Sequence, residues 1–339
     1  MNEQKISVAI LMGGDSSERS VSFSSGRAVA DALDPEKYIV TCFDVSNMGH
    51  RGDVSRSDAM GRRPRHAIFP VAWDHLATAL YTNGFSVVFP LLHGGRGEDG
   101  TLQTLLDVAE LRYVGSQARA CAIAIDKPLC KAYLREFGIE SPRGAFVSSV
   151  DELENAQIGF PCVVKPASGG SSVGTSILLS GDAQILQNAV AKALIDGSGA
   201  LVEEFIEGTE VTCAVWGEGA EAKVLPVIEI VPQKGGGFYD FEAKYASGGS
   251  QHLIPPRLDE NIQREIQALS LRAHRVLGCR GVTRSDFIVT SAGKPLYLET
   301  NTTPGMTETS LVPDAARASG LEFGAMVEKL LEMALPTRL

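Results

Sequence analysis

Asp286, Glu299 and Asn301 lie in the run R-S-D-F-I-V-T-S-A-G-K-P-L-Y-L-E-T-N-T-T-P-G-M-T-E-T-S-L over residues 284–311, which begins at Arg284. Two carboxylates and an amide offer only hard oxygen donors, a set that suits Mg²⁺ or Mn²⁺ and not zinc. The run reads as two short strands, 284–290 and 295–301, joined by a Ser-Ala-Gly-Lys turn. Strand side chains alternate faces, so Arg284 and Asp286 share one face while Ser285, Phe287 and Val289 share the other. The same parity groups Tyr297, Glu299 and Asn301, with Leu296 and Leu298 opposite. A tight turn at Ala292-Gly293 sets Asp286 across from Glu299 and Arg284 across from Asn301. Facing carboxylates repel unless a cation lies between them, so the pattern reads as a divalent-metal site or as a structural ion-pair network.

Other residues with chemical potential sit in glycine-rich turns. His93 follows an apolar strand over 85–92 and opens H-G-G-R-G-E-D-G, where glycines let the backbone approach a ligand. Glu18 and Arg19 follow the first strand in G-G-D-S-S-E-R-S-V-S; this is not a dinucleotide fingerprint, and Glu18 reads equally as a helix-start carboxylate. Lys165 ends a buried strand and precedes Gly169, Gly170, Ser171, Ser172 and Gly174. The lysine comes before the glycines, so the motif is not a Walker A loop; a basic residue under a glycine flap resembles the way kinases cover phosphates. A plain flexible surface loop is the other reading. Lys127 stands at a helix start, against the dipole, as a surface lysine or as one facing an anion. The strand ending at 203–206 and restarting at Glu210 could meet adenine and ribose.

The elements that must position these groups follow from patterning. Strand, turn and helix over 5–33 and a strand at 38–44 open an α/β unit that closes at 113–115. A helix over 126–137 is capped by Asp126 and stopped by Gly138, and Ser149-x-x-Glu152 reads as a capping box. Residues 232–256 form a long polar segment with interleaved aromatics, expected to be a lid with Lys244 and Tyr245 as contacts. Residues 48–66 lack periodicity and read as a solvated excursion. A helix over 259–277 precedes the hairpin, residues 307–311 start a helix, and 322–335 form a packing helix.

With 339 residues and 44% hydrophobic side chains, two or three domains are expected. A net charge of −10 argues against sequence-independent nucleic-acid binding. Six scattered cysteines, with no C-x-x-C pair, read as buried apolar side chains in a reducing compartment, the cytoplasm. The apolar run at 6–12 is too short to span a membrane, and no membrane partner is expected.

Taken in order, seven motifs resemble the ATP-grasp superfamily and, within it, the D-alanine–D-alanine ligases. They occupy residues 13–22, 93–100, 126–127, 165–174, 239–245, 284–286 and 299–311. The resemblance implies an N-terminal open parallel α/β (pre-ATP-grasp) domain over 1–118. A two-lobed α+β ATP-grasp domain would follow, with a central lobe over 119–208 and a C-terminal lobe over 209–339. It implies ATP as co-substrate and two Mg²⁺ (or Mn²⁺) ions held by Asp286, Glu299 and Asn301. Lys127 and Lys165 would meet the phosphates under a flap containing Ser171 and Ser172. Glu203, Glu204, Ile206 and Glu210 would hold adenine and ribose; some relatives carry lysine at the position of Glu204. Glu18, with His93 nearby, would hold the ammonium of the first D-alanine, and Ser310 with the Leu311 amide the carboxylate of the second. Arg284 and the Gly305 N–H would stabilise the oxyanion, an interaction worth roughly 3–4 kcal/mol per donor. Ser171, Tyr245 and Glu18 would form an orienting network, and the Lys244–Tyr245 pair favours an amine acceptor over D-lactate. The product would be D-alanyl-D-alanine for peptidoglycan precursors, made through an acyl phosphate by a homodimer. The rival expectations are an ATP-grasp ligase with another acceptor, such as D-lactate, and a non-catalytic nucleotide-binding regulator.

Overall fold

The apolar run Val8-Ala9-Ile10-Leu11-Met12 becomes the centre of β1 (Ile6–Gly13) in the computed structural model, which describes residues 5–47, 65–170, 173–232 and 250–335. β1 is followed by α1 (Arg19–Ala32), β2 (Tyr38–Ser46), β3 (Ile68–Ala72), α2 (Trp73–Asn83), β4 (Val87–Pro90) and α3 (Thr101–Val108). The four strands lie parallel in the order β3-β2-β1-β4. A parallel sheet needs cover on both faces, which is why β1 alternates nothing. Val8, Ile10 and Met12 pack with Val29 and Ala30 of α1 and with Met326 and Leu330 of the C-terminal helix. Ala9 and Leu11 face Leu76, Leu80, Leu102 and Leu106 of α2 and α3. Arg19 donates to Asp44 at 2.7 Å and to the Gly14 carbonyl at 2.9 Å, tying the turn after β1 to β2.

Next come α4 (Ala118–Ile125), α5 (Lys127–Arg135), β5 (Gly144–Val147), α6 (Leu153–Ala156), β6 (Cys162–Pro166), β7 (Ser176–Leu178), α7 (Ala183–Ala193) and β8 (Ala200–Glu204). The strands form an antiparallel sheet in the order β5-β8-β6-β7, with Val164 and Val202 packed on Val190 and Ala193 of α7. Asp126 caps α5 by accepting from the Leu129 N–H at 3.0 Å, and Asp182 caps α7 through the Ile185 N–H at 3.0 Å. The expected capping box is displaced by one residue. Glu152 accepts from the N–H and hydroxyl of Ser148, at 2.7 and 2.9 Å, and Ser149 makes no capping bond.

Residues 205–207 carry the chain directly from β8 into a second antiparallel sheet. That sheet holds β9 (Gly208–Trp216), β10 (Lys223–Val224), β11 (Ile228–Pro232), β12 (Ser250–Leu253), β13 (Val282–Thr290) and β14 (Pro295–Asn301), in the order β12-β11-β9-β13-β14 with β10 on β9. α8 (Glu260–Leu277) precedes β13, and α9 (Leu311–Ala318) and α10 (Phe323–Ala334) end the described chain. The open segment expected at 48–66 lies largely outside the described residues, as does most of the expected lid, with Lys244 and Tyr245. Among the described residues, no helix is long and apolar enough to cross a membrane. All six cysteines are free and buried, as their apolar settings suggested.

The β13–β14 hairpin reaches the expected register by an unexpected route. Thr290 and Lys294 close a three-residue loop in which Gly293 adopts φ 80°, and Val289 then pairs with Pro295 and Phe287 with Tyr297. Continued unbroken, that ladder would set Asp286 against Leu298. A bulge between Asp286 and Phe287 instead puts Leu298 out of register, so that Asp286 faces Glu299 and Arg284 faces Asn301. The bulge also corrects the expected parity. Tyr297 points into the core, its ring 5.7 Å from Phe287, while Leu298 joins Glu299 on the cleft side.

Behind this sheet His274 of α8 is fully buried between the Thr283 hydroxyl (2.7 Å) and the Gly217 carbonyl (3.2 Å). The carbonyl only accepts, so Nε2 carries the proton and Nδ1 accepts from Thr283. Burial outweighs the Gly217 bond and pushes the imidazole down to about 4. An unfolded histidine titrates near 6.5, so the unfolded chain binds a proton that the folded chain refuses as pH falls through this window. Stability is expected to drop by about 2 kcal/mol from this residue between roughly pH 7 and 5. Urea unfolding of the wild type and of His274→Gln at both pH values checks this, and equal losses in the two proteins would contradict it.

Candidate active site

A cleft of about 1050 Å³ opens between the two antiparallel sheets and is closed at one end by turns of the parallel one. Glu18, Lys127, Lys165, Glu203, Glu204, Ile206, Glu210, Asp286 and Glu299 all line it, although they come from every part of the chain. Asn301, Arg284, His93 and Ser310 stand outside that lining, behind or beside it.

The cleft floor is built by three neighbouring strands. Thr212 of β9 lies opposite Asp286 of β13, which lies opposite Glu299 of β14. Thr212 donates to Asp286 Oδ1 at 2.6 Å. Arg284, two residues away on the same face, makes a bidentate pair with Asp286 at 2.8 and 2.7 Å. A carboxylate has about four acceptor sites, and Asp286 uses three of them here. Lys127 Nζ comes within 3.7 Å of Glu299 Oε2 and also donates to the Gly169 carbonyl. Its place at the start of α5, against the dipole, is thus explained by Glu299. Asn301 Oδ1 accepts from the Thr303 N–H at 2.9 Å. Among the described residues no group of three or more His, Cys, Asp or Glu is placed to hold a metal ion. The oxygen set facing the cleft is two carboxylates, already partly neutralised by Arg284 and Lys127, with the Asn301 amide outside the lining. Its donor chemistry fits a hard divalent ion that would share the carboxylates with these cations.

Where β6 and β8 line the cleft lies a pairing absent from the sequence expectation. In the β6–β8 ladder Glu203 faces Val163, which sets Lys165 diagonally beside it on the same face. Glu203 Oε2 accepts from Lys165 at 2.7 Å, and Oε1 accepts from Lys131 of α5. All three side chains are buried, with 3%, 13% and 7% exposure for Glu203, Lys165 and Lys131. Burial alone would raise the Glu203 carboxyl, but the two ammonium groups outweigh it and hold the carboxyl below its usual range. For Lys165 burial is overcome by Glu203 and Glu299, and its pKa is raised. Lys131 has the opposite balance, as burial and then the Lys165 charge push it down to about 7. The signal for Lys131 was its spacing, one helical turn after Lys127 on an amphipathic helix.

At the closed end, Glu18 occupies the N-cap position of α1 without a side-chain capping bond, so it stands both at the helix start and on the cleft. It is 6% exposed and faces the cleft. A Cβ on Gly94 or Gly170 would come within 2.8 or 3.1 Å of Glu18 Oε2, so both glycine turns close on this carboxylate. Burial, reinforced by the Glu18 charge, pushes the Glu98 carboxyl up to about 8, so Glu98 is protonated beside Glu18 at neutral pH. His93 is also buried, and burial holds it below its usual value against the charge of Glu18. Its Nδ1 bonds the Thr303 carbonyl at 2.9 Å and its Nε2 the Ser25 hydroxyl at 3.0 Å, while Ser25 accepts from the Met306 N–H at 3.2 Å. His93 thereby fastens the loop after β14 to the parallel-sheet unit.

In that loop Gly305 lies against Ser310, where an added Cβ would meet the hydroxyl at 3.0 Å. Ser310 bonds Thr307 through its hydroxyl at 2.7 Å and immediately precedes α9, whose first residue is Leu311. Glu204 accepts from the Arg143 N–H at 2.9 Å. Ser171, Ser172, Lys244 and Tyr245 lie outside the described residues, so four of the expected contacts have no position here.

Known proteins are similar to this chain in sequence and fold. Residues 7–116 match the family described as D-ala D-ala ligase N-terminus, and residues 141–332 that described as D-ala D-ala ligase C-terminus. The D-alanine–D-alanine ligase of Xanthobacter autotrophicus is 42% identical over 331 residues, 96% of this chain and 97% of the relative. Among solved structures, the VanG D-Ala:D-Ser ligase of Enterococcus faecalis superposes with a TM-score of 0.77 at 28% identity, covering 98% of this chain and 100% of the other. The D-alanine–D-alanine ligase of Bacillus anthracis, solved with ATP, gives 0.73 at 27% identity, with 97% of each chain covered.

Proposed function

The chain belongs to the D-alanine–D-alanine ligase family, and from that membership we propose that it joins two D-alanine molecules at the cost of one ATP. The product is D-alanyl-D-alanine for peptidoglycan precursors, with ADP and phosphate released. The observation that carries the reading is the convergence of Glu18, Lys127, Lys165, Asp286 and Glu299 on one cleft. That convergence supports reading one carboxylate as the partner of an ammonium group, two cations as partners of phosphates and a pair of carboxylates as metal ligands in a single space.

In this reading Lys127 and Lys165 take the phosphates, under the loop that contains Ser171 and Ser172. Glu204, Ile206 and Glu210 border adenine and ribose, with Glu203 at their base. Asp286, Glu299 and Asn301 hold two Mg²⁺ or Mn²⁺ ions, which when bound neutralise phosphate charge. Glu18 holds the ammonium of the first D-alanine and turns its carboxylate toward the γ-phosphorus. His93 keeps the surrounding loop in place. Attack forms D-alanyl phosphate and releases ADP. Ser310 and the Leu311 N–H orient the second D-alanine by its carboxylate. The neutral amine then attacks the acyl carbon while Arg284 and the Gly305 N–H hold the developing oxyanion. Lys244 and Tyr245 exclude water and orient the network.

The units are taken as 1–118, 119–208 and 209–339, the assembly as a homodimer, and the compartment as the cytoplasm. ADP release, measured with D-alanine, L-alanine, D-serine and D-lactate in parallel, tests the reaction. D-alanine alone is expected to give ADP and a dipeptide at neutral pH. Faster turnover with D-lactate or D-serine as acceptor would reassign the second substrate, and no ADP with any of them would sink the reading.

A further inference from the structure

Lys131 does not line the cleft, yet it is one of the two cations on Glu203. The other, Lys165, does line it. Whatever anion Lys165 takes up in the cleft draws it away from Glu203. A carboxylate as buried as Glu203 cannot lose its only counter-ion without a large penalty. Lys131 comes from α5, is buried at 7% exposure and does not line the cleft, so Glu203 keeps it as a partner behind the lining. The other charged groups around it are Glu203 and Lys165 from the central sheet, Glu299 from β14, and Lys127 on its own helix. Lys127 faces Glu299 and the Gly169 carbonyl and, in the proposed reading, also takes phosphate, so it is not a substitute on Glu203.

We propose that Lys131 is a positioning residue: a resident counter-ion that keeps Glu203 satisfied while Lys165 exchanges Glu203 for the phosphates of a nucleotide. The inference rests on the reading of the cleft as a nucleotide site. Without Lys131, Lys165 has two competing anions and stays on the carboxylate. The affected quantity is then nucleotide affinity, more than the chemical step.

The test is ADP binding by calorimetry together with steady-state kinetics on the full chain. Lys131→Met is expected to weaken ADP binding, and to raise the KM for ATP, by about ten- to fiftyfold, with kcat at saturating ATP within about threefold of wild type. Lys131→Arg keeps the charge and is expected to bind ADP within about threefold of wild type. Removing the need for a counter-ion should also rescue affinity. The double variant Lys131→Met/Glu203→Gln is expected to bind ADP at least about fivefold more tightly than Lys131→Met. Should Lys131→Met not fold, Lys131→Gln takes its place with the same expected ordering. ADP affinity within twofold of wild type in the uncharged variants, or equal weakening in the arginine variant, overturns the inference. Wild-type protein that neither binds ADP nor turns over D-alanine overturns the nucleotide reading itself, and the inference with it.

Discussion

Replacing Arg284 with methionine is expected to lower kcat by about a hundred- to a thousandfold, with the KM for ATP within about threefold of wild type. Arg284 is held by both oxygens of Asp286, and its side chain is only 12% exposed. Its charge lowers the pKa of both His93 and Glu98, at the Glu18 end of the cleft. In the proposed reading a cation fixed there lowers the energy of an oxyanion that exists only as the acyl carbon is attacked, so its removal costs turnover more than binding. Lysine at this position keeps a charge but not the two-point grip on Asp286, so Arg284→Lys is expected to recover only part of the loss. Steady-state kinetics on the three proteins, with urea unfolding to show that each is folded, checks this. A methionine variant with a raised KM and an unchanged kcat would assign Arg284 to substrate binding.

Glu299→Gln is expected to cost more, roughly 4 kcal/mol of transition-state stabilisation or about a thousandfold in kcat/KM. The substitution keeps the size of the side chain and its place opposite Asp286, but removes the charge that faces Lys127. Lys127 is 8% exposed, so a buried ammonium group would lose the carboxylate that it faces. Mn²⁺ binding, followed by paramagnetic resonance in the presence of ADP, is expected to weaken in parallel. Loss of activity with full Mn²⁺ affinity would remove Glu299 from the metal set and leave it a role through Lys127.

Alternation along two strands was enough to find the acidic pair, because Asp286 and Glu299 stand on a face whose opposite side is apolar. The agreement had a compensation in it. The sequence reading assumed a two-residue turn at Ala292-Gly293, whereas the chain makes a longer loop and then absorbs the offset in a bulge beside Asp286. Bulges leave no periodic signal, and so Tyr297 was assigned to the cleft face when it packs on Phe287. Glycine-rich turns were legible as cleft-facing at Glu18, which follows a strand, and at Lys165, which stands near the end of one, whereas His93 stands outside the cleft lining. The use made of His93 was not legible, because its partners Ser25 and Thr303 are distant in sequence. Lys131 and Thr212 were missed for the same reason: neither lies in a motif, and each matters through one buried carboxylate. The capping-box pattern misled by a single residue, since Ser148 and Ser149 are both capable of the bond.

The account's central claim is that one cleft brings a substrate carboxylate to the terminal phosphate of ATP. Turnover of D-alanine labelled with heavy oxygen in its carboxylate, followed by mass analysis of the released phosphate, tests it most directly. Attack by the carboxylate predicts one labelled oxygen in every phosphate formed with dipeptide. Unlabelled phosphate would mean that water, not D-alanine, takes the phosphoryl group, and would contradict the claim.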